Sequence, residues 1–272
     1  MKERIIDSKP ESLSNWMQTL FEYRRLIRVF AIRDLKAKYA QTLLGFFWTL
    51  IQPLAGLLVF SLFFGYLVKI PIPNDVPYPL FAFSGMISWY YFTYIMTQGG
   101  SSLINNQELI RKIYFPRVVL PLSRVITGFP EFAVSFLLIG IMMPFFGVWP
   151  SWAILFLPVF ALLNVVAGLG VAIWLSAITI RIRDFHHIIP YLVNFGIWMT
   201  PVFYPGTIVP EPYQFLLYFN PMAGIIAGFR WTLLNGPPPD LAFLPSFIFL
   251  FIFLFLGILV FKRAEKNAAD CL

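Results

Sequence analysis

From Tyr39 to Val68 the chain runs for 30 residues without Asp, Glu, Lys or Arg, and from Val76 to Gln107 for another 32. A helix needs about 20 mostly apolar residues to cross a bilayer. A backbone in hydrocarbon must also satisfy its polar groups internally, which selects helices for such runs. Phe132 to Ile180 is uncharged over 49 residues, too long for one helix. It breaks at Pro144-Phe-Phe-Gly147-Val-Trp-Pro150, where two prolines and a glycine favour a tight turn. Phe185 to Pro210 and Leu241 to Phe261 supply two more runs. The predicted spans are 45–68, 80–102, 118–145, 151–178, 187–204 and 241–261.

Composition excludes the main alternatives. The chain is 59% hydrophobic and 12% charged, whereas soluble domains carry about 25% charged residues. So few charges cannot solvate a soluble surface, and a disordered chain needs the opposite balance. Cys271 is the one cysteine, so neither an intramolecular disulfide nor a thiolate metal cluster is expected. The net charge of +7 is carried by loops, and nucleic acid is not an expected partner. No short apolar core of a secretory signal stands in the first 40 residues.

Lys and Arg in loops set orientation. With six spans, 18 of the 20 fall on one side, and only Lys69 and Arg230 on the other. Both termini are therefore expected in the cytoplasm. The domains read as a cytoplasmic N-terminal segment at 1–44, a six-span transmembrane domain at 45–261 and a cytoplasmic tail at 262–272. Glu211 to Leu234 is apolar enough to suggest a seventh span. That crossing would put Lys262, Arg263 and Lys266 outside, and Asn220-Pro221 interrupts it. It is read as two short re-entrant helices. The fold class is thus an all-α integral membrane protein with an N-terminal amphipathic interface helix and re-entrant helices between spans five and six.

That interface helix is predicted over 22–39. Leu26, Phe30 and Leu35 form an apolar side, while Arg33, Asp34, Lys36 and Lys38 supply charge up to Tyr39. A basic amphipathic helix before a first span suits the membrane surface and its lipids; the plainer reading is a topology signal. Between spans two and three, Leu109, Ile110, Ile113 and Tyr114 fall at helical spacing, and Pro116 ends the element. A short amphipathic helix of this kind docks into a groove of a soluble partner, or merely connects two spans. Arg181-Ile-Arg-Asp-Phe-His-His187 is a second charged loop.

Absent motifs narrow the chemistry. No G-x-x-x-x-G-K-[ST] sequence is present, so nucleotide binding through a phosphate loop is excluded from this chain. Arg124 and Glu131 are the only charges inside the predicted spans. Being seven residues apart, they share a helix face about 10 Å apart along the axis, close enough to meet through water. They read as a gate or pore-lining pair, or as structural partners of another span near Gln52, Gln98 or Asn194. An ion-driven transporter usually buries more ionisable groups, so the energy for uphill movement is expected from another chain. His186 and His187 beside Asp184 read as an interfacial or partner contact rather than a metal site or proton switch.

The ordered set of motifs resembles the membrane subunit of ABC-2-type polysaccharide exporters, the group that exports O-antigen, capsule or teichoic-acid chains. It comprises Arg33-Asp-Leu-Lys-Ala-Lys-Tyr39, Leu44-Gly45, Trp48 and Pro53-Leu54, then Arg111-Lys-Ile-Tyr-Phe-Pro-Arg117 and Leu120-Pro121. Arg183-Asp184, Thr200-Pro-Val-Phe-Tyr204, Asn220-Pro221 and Arg230 complete it. Thr200 stands where the family more often has Ser.

The resemblance implies a homodimeric pore in the bacterial inner membrane and two copies of a nucleotide-binding ATPase subunit. No cofactor is then expected in this chain, with ATP and Mg in the partner, and the substrate is a lipid-linked polysaccharide, with O-antigen preferred and capsule and teichoic acid left open. Glu108, Arg111 and Lys112, with Arg183 and Asp184, would couple to the ATPase. Spans one and five would wall the pore, which singles out Trp48, Phe60, Phe195, Trp198 and Tyr204 as an aromatic path for sugar rings. The alternatives are a membrane-embedded enzyme acting on lipid-linked sugars and an ion-coupled transporter.

Overall fold

The computed structural model describes residues 21–40, 47–182 and 184–271, with the side chains of 181 and 266–271 left aside. Among the described residues there are helices and connecting turns and no strand. The helices are α1 (Arg24–Tyr39), α2 (Trp48–Phe60), α3 (Tyr78–Gly100), α4 (Gln107–Lys112) and α5 (Val119–Phe145). They are followed by α6 (Leu157–Arg181), α7 (Phe185–Met199), α8 (Phe215–Phe219), α9 (Pro221–Leu234) and α10 (Leu244–Cys271). A π-helical stretch, Ser61–Leu67, prolongs α2.

Four segments are long and apolar enough to cross a membrane: Trp48–Leu67, Val119–Phe145, Trp152–Ile180 and Leu241–Glu265. The other two expected spans fall short for different reasons. α3 has the length, at 23 residues, but carries hydroxyls at Ser84, Ser88, Thr93 and Thr97. Those groups suit a helix enclosed by protein. α3 is buried along most of its length, and Ser84, Thr93 and Thr97 donate to backbone carbonyls one turn back. Asn164 of α6, fully buried, donates to the Ser88 carbonyl at 3.0 Å.

α7 is 15 residues long, about 22 Å at 1.5 Å per residue. It stops at Met199 rather than the expected 204, because Pro201 disfavours helical backbone at Thr200. The turn between α5 and the next segment lies where Pro144–Pro150 placed it, with Gly147 at φ +69°. α8 and α9 meet at Asn220, whose side-chain oxygen accepts from the Met222 N–H at 3.0 Å and caps α9.

The core is built on α3, which packs against α6 and α5, with α9 and α10 closing around α6. α2 and α7 stand at the margin. Leu58, Phe63 and Tyr66 on or just after α2, and Tyr191, Phe195 and Met199 on α7, are exposed. α1 packs beside α5 through Phe30 and Ala31, while Val29 and Ile32 point away from the protein.

Candidate functional site

Two pairs of charges join α1 to α5. Asp34 and Lys38, one helical turn apart, share a face, and so do Arg124 and Glu131. Arg124 Nη1 lies 2.6 Å from Asp34 Oδ2, and Lys38 Nζ lies 2.6 Å from Glu131 Oε1. Arg124 and Glu131 therefore partner α1 rather than each other, Gln52, Gln98 or Asn194. The pairs occur in the same order along both helices. The first is largely buried and the second partly exposed. At Tyr39, burial foremost, then the Glu131 charge and a hydrogen bond to it, pushes the hydroxyl up to about 12. It stays protonated and neutral at ordinary pH.

Above this rung opens a cavity of about 590 Å³ between α1, α2, α3, α5 and α7. Its lining is aromatic and hydrogen-bonding: Trp48 and Gln52 from α2, Tyr90, Tyr94, Thr97 and Gln98 from α3, and Glu131 with Lys38 at one wall. Lys38 Nζ lies 4.5 Å from the centre of the Tyr94 ring, a cation–π distance. Gly128 permits this close approach, since a Cβ there would stand 2.5 Å from Tyr94 Cδ1. Flat rings, amides and hydroxyls with one compensated charge pair match the apolar faces and hydroxyl rims of sugars, and offer many weak contacts rather than one strong one.

A second aromatic group bridges α2 and the segment after α7. Phe60 stacks on Phe203 with ring centroids 3.4 Å apart and 14° between planes. Trp198 stands 6.4 Å from Phe64, edge to face, and 6.5 Å from Phe203. The Tyr204 hydroxyl donates to the Trp198 carbonyl at 2.7 Å. Of the five predicted path residues, Phe60, Trp198 and Tyr204 thus come together. Trp48 lines the lower cavity 12 positions away, about 18 Å along a helix, and Phe195 is exposed on α7, three residues before Trp198.

The predicted coupling residues lie at the α1 end. Glu108, Arg111 and Lys112 are exposed on α4, while Leu109 and Ile110 pack on an apolar cluster with Phe30, Phe115 and Phe261. α4 is shorter than its spacing suggested. Backbone at Ile113 is extended, and Ile113 and Tyr114 are exposed rather than on the helix. Arg33 Nη2 donates to Asn106 Oδ1 at 2.9 Å, and Asn106 directly precedes α4. Beyond Pro116, the Arg117 N–H donates to Glu265 of α10 at 2.6 Å. Asp184 is exposed at the start of α7, His186 Nδ1 is 3.0 Å from Ser101 Oγ, and Arg183 lies outside the described residues. Lys36 is exposed on α1. Sequence reasoning did not assign Tyr90, Tyr94, Gln52 and Gln98 to one lining; their signal was polarity inside otherwise apolar runs.

The chain is similar to known proteins. Residues 25–234 match the family described as ABC-2 type transporter. The chain is 33% identical over 226 residues to the O-antigen export system permease protein RfbA of Myxococcus xanthus, covering 82% of this chain and 86% of that one. An RfbA of Klebsiella pneumoniae is 27% identical over 252 residues, 91% of this chain and 95% of the relative. The polysialic acid transport protein KpsM of Escherichia coli is 20% identical over 223 residues, 79% and 84% of the two chains. With the all-helical fold and four membrane-length helices, these matches establish that the chain belongs to the ABC-2 type transporter family, among its polysaccharide-export permeases.

Proposed function

We propose that this chain is the transport subunit of an exporter that moves a lipid-linked O-antigen polysaccharide out of the cytoplasm, driven by ATP hydrolysis in two copies of a partner subunit that binds ATP and Mg. The observation that carries this reading is the 590 Å³ cavity of rings, amides and hydroxyls beside α2 and α7. Two copies of the chain face each other across α2 and α7, whose exposed aromatic faces are left without partners inside one copy. The chain crosses the inner membrane six times, with both termini cytoplasmic; α3 and α7 supply the crossings beyond the four long apolar helices. α1 rests at the cytoplasmic surface with Val29 and Ile32 toward lipid, and α8 and α9 re-enter from the outside.

In this reading α4 and the Asp184 turn receive the partner's motion. Arg33 carries it from Asn106 to α1, and the two ion pairs carry it to α5 beside the cavity. Trp48, Phe60, Phe195, Trp198 and Tyr204 contribute to the sugar path. An ion-coupled mechanism usually buries more ionisable groups inside the spans, whereas Arg124 and Glu131 are paired with Asp34 and Lys38. An enzyme acting on lipid-linked sugars would need a cluster of acids or histidines, and among the described residues no three of His, Cys, Asp and Glu are grouped so as to hold a metal ion. The test is complementation: a strain lacking this chain should retain its lipid-linked polymer inside and regain surface polymer when the chain is restored. Surface polymer at normal levels without the chain would refute the proposal.

A further inference from the structure

The end of the molecule away from α4 holds a second cavity, of about 270 Å³. Its walls are mainly apolar, with Val76, Leu217, Phe243 and several prolines, and one cation, Arg230 of α9, reaches them. The guanidinium lies 3.6 Å from the centre of the Phe81 ring, and its Nη2 donates to the Val202 carbonyl at 2.7 Å. Its Nε is buried and meets no hydrogen-bond acceptor. The cavity has one carboxylate, Asp240, and both its oxygens are engaged. One accepts from the Ala242 N–H at 2.9 Å, the other from the Tyr218 hydroxyl at 3.4 Å. Among the described residues no ion pair neutralises Arg230. A cation taken from water without a counter-ion is costly, and a guanidinium offers paired donors that fit an oxyanion.

We propose that this cavity is a phospholipid site, in which Arg230 holds the headgroup phosphate of an outer-leaflet lipid and the apolar walls take its glycerol and upper acyl chains. The mainly apolar lining favours a lipid over a free anion or a sugar, which would need hydrogen-bonding groups on all sides. Tyr213, Phe215, Leu216 and Phe219 are exposed on the segment whose Leu217 and Tyr218 line the cavity, so apolar side chains stand beside it on the outside. Assigning the cavity to the outer leaflet rests on the topology proposed above.

The site is tested on the complete complex of this chain with its ATPase, purified in detergent and washed free of loose lipid. Vesicles of phosphatidylglycerol and phosphatidylethanolamine are added, and retained phospholipid is read by native mass spectrometry. The wild type should retain lipid. Arg230→Gln should lower retention by about tenfold, the effect of losing a charge-assisted bond, and Arg230→Lys should recover part of it. Excess inorganic phosphate, or the exported polymer, should not displace the lipid; displacement by either would overturn the proposal in favour of a free-anion or polymer site.

A photo-crosslinker at Leu217, with Arg230 intact, guards against misfolding of the Gln variant and should label phospholipid. Failure to label it, while a crosslinker at exposed Ile248 of α10 does, would also overturn the proposal. Lipid retained by a complex that fails to export polymer would support the site and count against the transport function.

Discussion

Lys38 and Glu131 lie far apart in sequence, yet their charged atoms are 2.6 Å apart at one wall of the large cavity. Together with Asp34 and Arg124 they make α1 part of the bundle rather than an appendage. Partners near a surface interact weakly, while those taken from water depend strongly on each other.

The two rungs should therefore differ. Asp34→Ala leaves Arg124 buried beside no carboxylate and should destabilise the chain by on the order of 3 kcal/mol. Lys38→Ala should cost about 1 kcal/mol or less. Thermal unfolding of the detergent-purified complex checks this. The double exchange D34R/R124D should recover much of the loss, and equal costs for the two single variants would argue against the buried rung.

Truncating path aromatics should slow movement of the polymer without disturbing assembly. A stacking contact contributes about 0.5–1.5 kcal/mol, so Trp48→Ala or Trp198→Ala should each reduce the export rate by roughly two- to tenfold. Trp→Phe at either position should retain most of it. Unchanged export in both single variants and the double, at matched expression, would remove these residues from the path.

Gly128 should be intolerant of a side chain. A Cβ there would collide with Tyr94 at 2.5 Å and crowd Tyr91 at 3.2 Å. Gly128→Ala should lower stability by about 1–3 kcal/mol and slow export, because Tyr94 must leave its place under Lys38. A Gly128→Ala variant with wild-type melting and export would show that the ring relocates freely.

Coupling should fail before assembly does. Replacing Glu108, Arg111 and Lys112 together with Ala removes exposed contacts contributing about 0–1 kcal/mol each. The ATPase should still co-purify, but polymer-stimulated hydrolysis should drop. Arg33→Ala should give a similar phenotype by cutting the bond to Asn106. Normal stimulation in both variants would move the coupling elsewhere.

The helices were legible in the sequence to the degree that lipid or proline dictates them. Pro144 to Pro150 located the α5–α6 turn, and Asn220-Pro221 located the junction of α8 and α9, because proline acts on its own backbone. The end of α7 was read five residues too far, since Thr200-Pro-Val-Phe-Tyr204 is apolar and only Pro201 marks the stop. Ile113 and Tyr114 matched a helical spacing that the chain abandons before Pro116.

At the site, the sequence exposed Arg124 and Glu131 as anomalies inside apolar runs but not their partners. Asp34 and Lys38 look like ordinary charges on a basic helix, and their roles follow from how α1 packs on α5. Phe60, Trp198 and Tyr204 were separable from the other aromatics by their assignment to spans one and five; Trp48 shared that assignment but lines the other cavity, and Phe195 shared it and is exposed on α7.

The most direct test uses inside-out membrane vesicles that contain this chain and its ATPase, with labelled lipid-linked polymer on the outer, formerly cytoplasmic, face. Added ATP should drive polymer into the lumen, beyond reach of an added glycosidase. Omitting either chain should abolish this, and a protonophore should not. Protection without ATP, or protection abolished by the protonophore while ATP is maintained, would contradict ATP-driven export.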